Sequence, residues 1–235
     1  MTSTHEFEVG ESIGVVSAAL LRPPEARYLY VFGHGAGAGM HHEFLKTCAS
    51  ILADHGVATF RYQFPYMEAG RRLPNPAPVL VQTVRSAVAT AESLVPDLPI
   101  LAGGKSMGGR MTSTAAASGG LGSVRGLAFF GFPLHAAGRD SSERGEHLTT
   151  VGLPMLFLQG TRDKLANLTL LRPLLDRVTP TPSLHVVDGA DHGFQVLKRS
   201  GRTRLEVLEE SCSAFADWAG RSIEAGSRWP GRDGR

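Results

Sequence analysis

Short apolar runs alternate with longer stretches whose apolar residues recur at helical spacing, almost to the end of the chain. The segments "SIGVVSAALLR", "RYLYVFGHG", "GVATFRY", "LPILAGG", "VRGLAFFGFP", "LPMLFLQGTRD" and "PSLHVVDGADH" read as strands. Between them, Phe44, Leu45, Cys48, Leu52 and His55 share one helical face. So do Val81, Val84, Val88 and Val95, and then Leu168, Leu171, Leu174 and Leu175. A capping box, Thr203-x-x-Glu206, opens a last helix that is expected to bury Leu205, Leu208, Cys212 and Phe215. This order predicts an α/β fold: a mainly parallel, doubly wound sheet with helices on both faces. The chain reads as a single domain over residues 1–222, followed by a flexible tail over 223–235.

Composition narrows the picture only slightly. The 235 residues suffice for one sizeable core. Lysine and arginine exceed aspartate and glutamate by only 24 to 22, which points to neither nucleic acid nor an anionic membrane as partner. No apolar run approaches the ~20 residues that span a bilayer. The polar, acidic start "MTSTHEFEVGES" lacks the basic and apolar segments of a secretory signal. Cys48 and Cys212 fall in apolar helical patterns, as buried free thiols do, so a reducing cytoplasm is expected.

Candidate chemistry centres on "PILAGGKSMGGR". Gly104-Lys105-Ser106 could end a phosphate-binding loop, but that loop needs a glycine where Pro99 stands. Gly104-x-Ser106-x-Gly108 instead fits a nucleophile elbow, a tight strand-to-helix turn around which side chains must be small. A helix beginning at Met107 would aim free N–H groups at developing negative charge. In such sheets the chemistry lies beyond the carboxyl ends of strands, and two partners fall there. Asp163 follows "MLFLQG" and His192 follows "LHVVDGA", in the chain order Ser, Asp, His. Ser106 would be the nucleophile, His192 its base and Asp163 the group that fixes the imidazole tautomer. Asp188 and Asp191 are substitute acids, His185 reads as structural, and Asp140 lies in a polar connection.

The expected oxyanion hole pairs the N–H of Met107 with that of Ala36 in "GHGAGAGM". One such donor is worth ~2.7–4 kcal/mol in the transition state. His34, Met40, Tyr62, Phe64, His135 and Phe194 are candidate pocket residues, although the aromatics of "RYQFPYM" fit a packed loop equally well. Lys105 is expected to face solvent, to pair with an acid or to attract an anionic substrate. His41, His42 and Glu43 are adjacent, but no full ligand set has metal-site spacing, so no metal and no cofactor are expected.

With these motifs in place, Gly104-Lys105-Ser106-Met107-Gly108-Gly109, "QGTRDKL" and "DGADHGF" resemble the α/β-hydrolase superfamily over nearly the whole chain. "HGAGAGM", "FRYQFPYM", "GKSMGGR" and "GFPLH" look more narrowly like one branch of it. That branch includes a testis-expressed protein, a subunit of a nuclear histone-acetyltransferase complex and many small bacterial proteins. It is similar to dienelactone hydrolases, with serine here in place of their cysteine. The resemblance implies the fold and a serine-hydrolase triad, but no particular substrate.

The connection from Phe132 to Val151 is short and polar, too short for a sizeable lid. An open site for a small or medium acyl substrate is therefore expected, on a monomer or homodimer. Two other functions compete. One is a non-catalytic interaction protein on the same fold. The other is an NADP-binding oxidoreductase, because Gly33-x-Gly35-x-x-Ala38 loosely matches a dinucleotide fingerprint and Arg61 ends the next strand.

Overall fold

The computed structural model describes residues 2–226. The apolar runs become strands β1 (Thr2–Gly10), β2 (Gly14–Leu21), β3 (Tyr28–Gly33), β4 (Val57–Tyr62), β5 (Ile100–Lys105), β6 (Val124–Phe130), β7 (Met155–Gly160) and β8 (Ser183–Val187). The helices are α1 (Glu43–Asp54), α2 (Pro65–Glu68), α3 (Ala77–Leu94), α4 (Met107–Ala117), α5 (Leu168–Leu175) and α6 (Arg204–Gly226). One eight-stranded sheet runs in the order β1-β2-β4-β3-β5-β6-β7-β8. β1 and β2 form an antiparallel hairpin joined antiparallel to β4; from β4 to β8 every pairing is parallel.

Strands β3, β4, β5 and β7 are buried along their length, as is β6 but for Arg125, which is why their sequences are mostly apolar. One face packs on Val84 and Val88 of α3, Met111 and Ala115 of α4, and Leu171 and Leu174 of α5. The other packs on Phe44, Leu45 and Leu52 of α1 and on Leu208, Phe215 and Trp218 of α6. Burying one such large side chain contributes about 1.5–3 kcal/mol. Cys48 and Cys212 are both buried and free where α1 meets α6. The Cys212 thiol lies 3.9 Å from the Cys48 carbonyl oxygen.

The structure corrects three readings of the pattern. β1 was not expected as a strand, because only Phe7 and Val9 of its nine residues face inward and the rest of this edge strand is polar. Leu205 is 51% exposed; the first inward residues of α6 are Val207 and Leu208. Helix α6 also continues past residue 222 to Gly226, while residues 227–235 of the expected tail lie outside the described residues. The capping box forms as read: the Thr203 N–H donates to Glu206 Oε2 at 2.6 Å, and the Glu206 N–H to Thr203 Oγ1 at 3.2 Å. No lid domain follows β6; its connection to β7 carries only a 3₁₀ helix over Glu143–Thr150.

The site is positioned by a backbone contact at the carboxyl ends of β3 and β5. A Cβ on Gly104 would lie 2.5 Å from the Gly33 carbonyl oxygen, and one on Gly108 only 2.4 Å from it. The first turn of α4 can therefore sit against β3 only with glycine at these positions. Gly108→Ala is expected to lower stability by about 2–4 kcal/mol, seen as a reduced urea midpoint; an unchanged midpoint would refute the contact.

Candidate active site

Strand β5 ends at Lys105, and Ser106 turns the chain into α4 with φ 51° and ψ −116°. A non-glycine residue held in such a conformation costs on the order of 1–3 kcal/mol, so its surroundings must over-determine it. They do so by two hydrogen bonds: the Ser106 N–H donates to Phe130 O at 3.1 Å, and the Arg110 N–H to Ser106 O at 3.0 Å. The turn lifts the hydroxyl above the sheet.

The loops after β7 and β8 bring the predicted partners to it. Ser106 Oγ lies 2.8 Å from His192 Nε2, and His192 Nδ1 lies 2.7 Å from Asp163 Oδ2. With Nδ1–H donating to the carboxylate, Nε2 is left to accept the serine proton. The Asp163 side chain is fully buried, whereas that of His192 retains 27% exposure. Solvent and small molecules therefore reach the imidazole but not the acid.

Burying a carboxylate requires donors. Asp163 has two besides the histidine: Gln159 Nε2 donates to Oδ2 at 2.6 Å, and the Leu165 N–H to Oδ1 at 2.8 Å. Gln159 is itself fixed, its Oε1 accepting from the Phe132 N–H at 2.9 Å. The sequence reading missed this residue. Its signal was a lone polar side chain in the apolar run "MLFLQG", one strand end before the acid.

The substitute acids serve other ends. Asp191 Oδ1 accepts from the N–H groups of Gly193 and Gln195 at 2.8 and 2.9 Å, which shapes the histidine loop. Asp188 Oδ1 pairs with the Thr161 hydroxyl, Asp140 with Asn167, and His185 with Glu210. His42 caps α1, accepting from the Phe44 N–H. Among the described residues no three His, Cys, Asp or Glu side chains are gathered as a metal-ligand group.

The six expected pocket residues lie deeper than a lining would. His34, Tyr62, Phe64 and Phe194 have no exposed surface, and Met40 and His135 retain only 2% and 3%. Phe194, at a left-handed φ of 59°, turns its ring inward against Phe44 and Phe130. His135 donates from Nδ1 to Ala136 O and accepts the Asn167 N–H at Nε2. Arg61 also points inward, toward Met40 O, and is not free at the strand end for a dinucleotide phosphate.

His34 ties two loops together. Its Nδ1 donates to Gly35 O at 2.8 Å, and its Nε2 accepts from the Phe64 N–H at 3.1 Å. The Gly37 N–H donates to Tyr66 Oη and the Met40 N–H to Gln63 Oε1, so the whole glycine-rich loop is anchored. Gly35 packs on the elbow; a Cβ there would lie 3.7 Å from Ser106 Cβ. Next to it, the N–H of Ala36 is paired with no acceptor among the described residues, nor is that of Met107.

Lys105 is neither solvent-facing nor in an ion pair. Its Nζ is buried without a hydrogen-bond partner, 5.7 Å from the ring centres of both Phe44 and Phe194.

Burial pushes His34 down to about 4, against the opposing pull of its hydrogen bond to Gly35. The unfolded chain takes up this proton near pH 6.5, so the neutral histidine stabilises the fold above that pH and the contribution is lost as pH falls toward 4. Wild-type stability is expected to fall across this window by up to ~3 kcal/mol more than that of His34→Gln. Urea unfolding at pH 7 and pH 4.5 measures the difference, and equal losses would contradict the assignment.

Comparison with known proteins agrees with this fold. The alpha/beta hydrolase domain family matches residues 26–220. Among solved structures, a dienelactone hydrolase from Anabaena variabilis superposes with a TM-score of 0.76 at 19% identity, covering 94% of this chain and 97% of that one. The esterase domain of a Rhodothermus marinus protein gives 0.71 at 16% identity, covering 94% and 98%. A serine hydrolase without a lid from Xanthomonas campestris gives 0.68 at 18% identity, covering 91% and 94%. With the family matched over most of its length and the eight-stranded fold in agreement, the chain belongs to the α/β-hydrolase family.

Proposed function

We propose that the protein is a serine hydrolase that cleaves small or medium esters through an acyl-serine intermediate. The observation that carries this reading is the hydrogen-bonded chain Ser106–His192–Asp163 at the ends of three different elements. The similarity to a dienelactone hydrolase and to an esterase domain supports acyl transfer from esters, with lactones and thioesters as further substrates. The narrower resemblance, to the branch that includes the testis-expressed protein, belongs to this proposal, as do a cytoplasmic location and a monomeric or homodimeric state. Among the described residues no helix is long and apolar enough to cross a membrane.

In the proposed reaction His192 Nε2 takes the Ser106 proton as Oγ attacks the carbonyl carbon. The tetrahedral oxyanion is received by the N–H groups of Met107 and Ala36, with the first turn of α4 contributing its dipole. Collapse expels the alcohol, which takes its proton from the imidazolium. A water molecule, deprotonated by the same imidazole, then releases the acid and restores Ser106. Asp163, with its charge held by Gln159 and Leu165, keeps the Nδ1–H tautomer throughout.

The test is labelling of the purified chain with a fluorophosphonate, followed by turnover of short p-nitrophenyl esters. Stoichiometric labelling of the wild type is expected, with none in Ser106→Ala or His192→Ala. Asp163→Asn is expected to cut turnover by roughly 10²–10⁴-fold. A folded wild type that takes up no label would favour an interaction protein on the hydrolase fold.

A further inference from the structure

Lysine is among the residues least often buried, and when buried it is normally paired. Lys105 departs from this one residue before Ser106. As the last residue of β5 it extends toward the layer formed by α1 and α6, where Phe44 and Phe194 lie near its ammonium. These cation–π contacts return part of the lost hydration. Phe194 reaches its place through the left-handed turn two residues after His192.

The direction of the ammonium is set at Gly131, just beyond β6. A Cβ there would lie 3.1 Å from Lys105 Nζ, 3.4 Å from Asp163 Oδ2 and 3.5 Å from His192 Nδ1. The three atoms thus crowd one small space that only glycine leaves open. The ammonium lies near Asp163 Oδ2 and His192 Nδ1, whereas Ser106 Oγ meets the other ring nitrogen, and Nζ is buried from solvent.

We propose that Lys105 is a positioning residue for the triad. Its buried ammonium opposes a second positive charge on the imidazole and so keeps His192 in its proton-accepting form. The proposal rests on the serine-hydrolase reading above. The titratable groups that face Nζ come from every packed element: the carboxylates of Asp163 after β7 and Asp191 after β8, the guanidinium of Arg204 on α6, and the thiol of Cys48 on α1, which burial keeps neutral. Burial pulls Lys105 down to about 8, against the pull of the Asp163 and Asp191 carboxylates, so it is charged at neutral pH. A charge there works through a poorly screened interior, where an effect on a neighbouring base is larger than at the surface.

The test is the rate of fluorophosphonate labelling as a function of pH for the wild type, Lys105→Met and Lys105→Arg, each checked for folding by circular dichroism. In Lys105→Met the imidazolium is no longer opposed, so the acid limb should move up by about 0.5–1.5 pH units. Its plateau should stay within about threefold of the wild type. Lys105→Arg should keep the wild-type limb. An unmoved limb in folded Lys105→Met would overturn the proposal while leaving the hydrolase reading intact; an unlabelled wild type would overturn both.

Should Lys105→Met fail to fold, ¹⁵N resonances of the His192 ring decide the matter in the wild type. A second inflection is expected near pH 8, where Lys105 loses its charge, and its absence would refute the proposal.

Discussion

Everything at the site depends on how closely three pieces of backbone approach one another. Gly33 at the end of β3, Gly104 near the end of β5 and Gly108 in the first turn of α4 meet with no room for a side chain. This contact lets α4 begin directly against the sheet, and it forces the chain at Ser106 into its left-handed turn. The conformational cost at Ser106 is offset by the hydrogen bonds on either side of it and by packing along α4.

Around this point the protein buries polar groups in pairs that satisfy one another. Asp163 is held by His192, Gln159 and the Leu165 N–H; Gln159 is held in turn by Phe132. His34 accepts from one loop and donates within another. Each such group would cost about 1–3 kcal/mol if left unpaired, so together they specify one arrangement of the loops. Lys105 and the Tyr62 hydroxyl are exceptions in this neighbourhood, and of the two only the lysine carries a charge: its ammonium has aromatic faces and nearby charge but no hydrogen-bond acceptor. An unpaired buried cation beside the Asp163–His192 pair is costly enough to call for a role.

The two faces of the sheet divide the labour. The layer of α3, α4 and α5 supports the turn at Ser106 from below. The layer of α1 and α6 holds Phe44, Phe194 and Lys105, and so bears on the histidine loop. The elements that fix the turn at Ser106 thus differ from those that surround the His192 loop.

Strand and helix periodicity and the elbow glycines were legible in the chain because they are local: each depends on residues within a few positions of one another. Ser106, Asp163 and His192 were legible for the same reason, as each follows an apolar strand in a short motif. The edge strand β1 was not, because its partner rather than its own pattern makes it a strand. Leu205 was misjudged because one turn of a helix does not say which way its neighbours lie. The burial of Tyr62, Phe64 and Phe194, the support from Gln159 and the inward aim of Lys105 were decided by tertiary structure alone. Each depends on which helix covers a strand end and on what converges at Gly131, contacts between residues far apart in the chain. The sequence by itself determined the fold and singled out the candidate reacting groups; only packing decided their depth, their direction and the charges that face them.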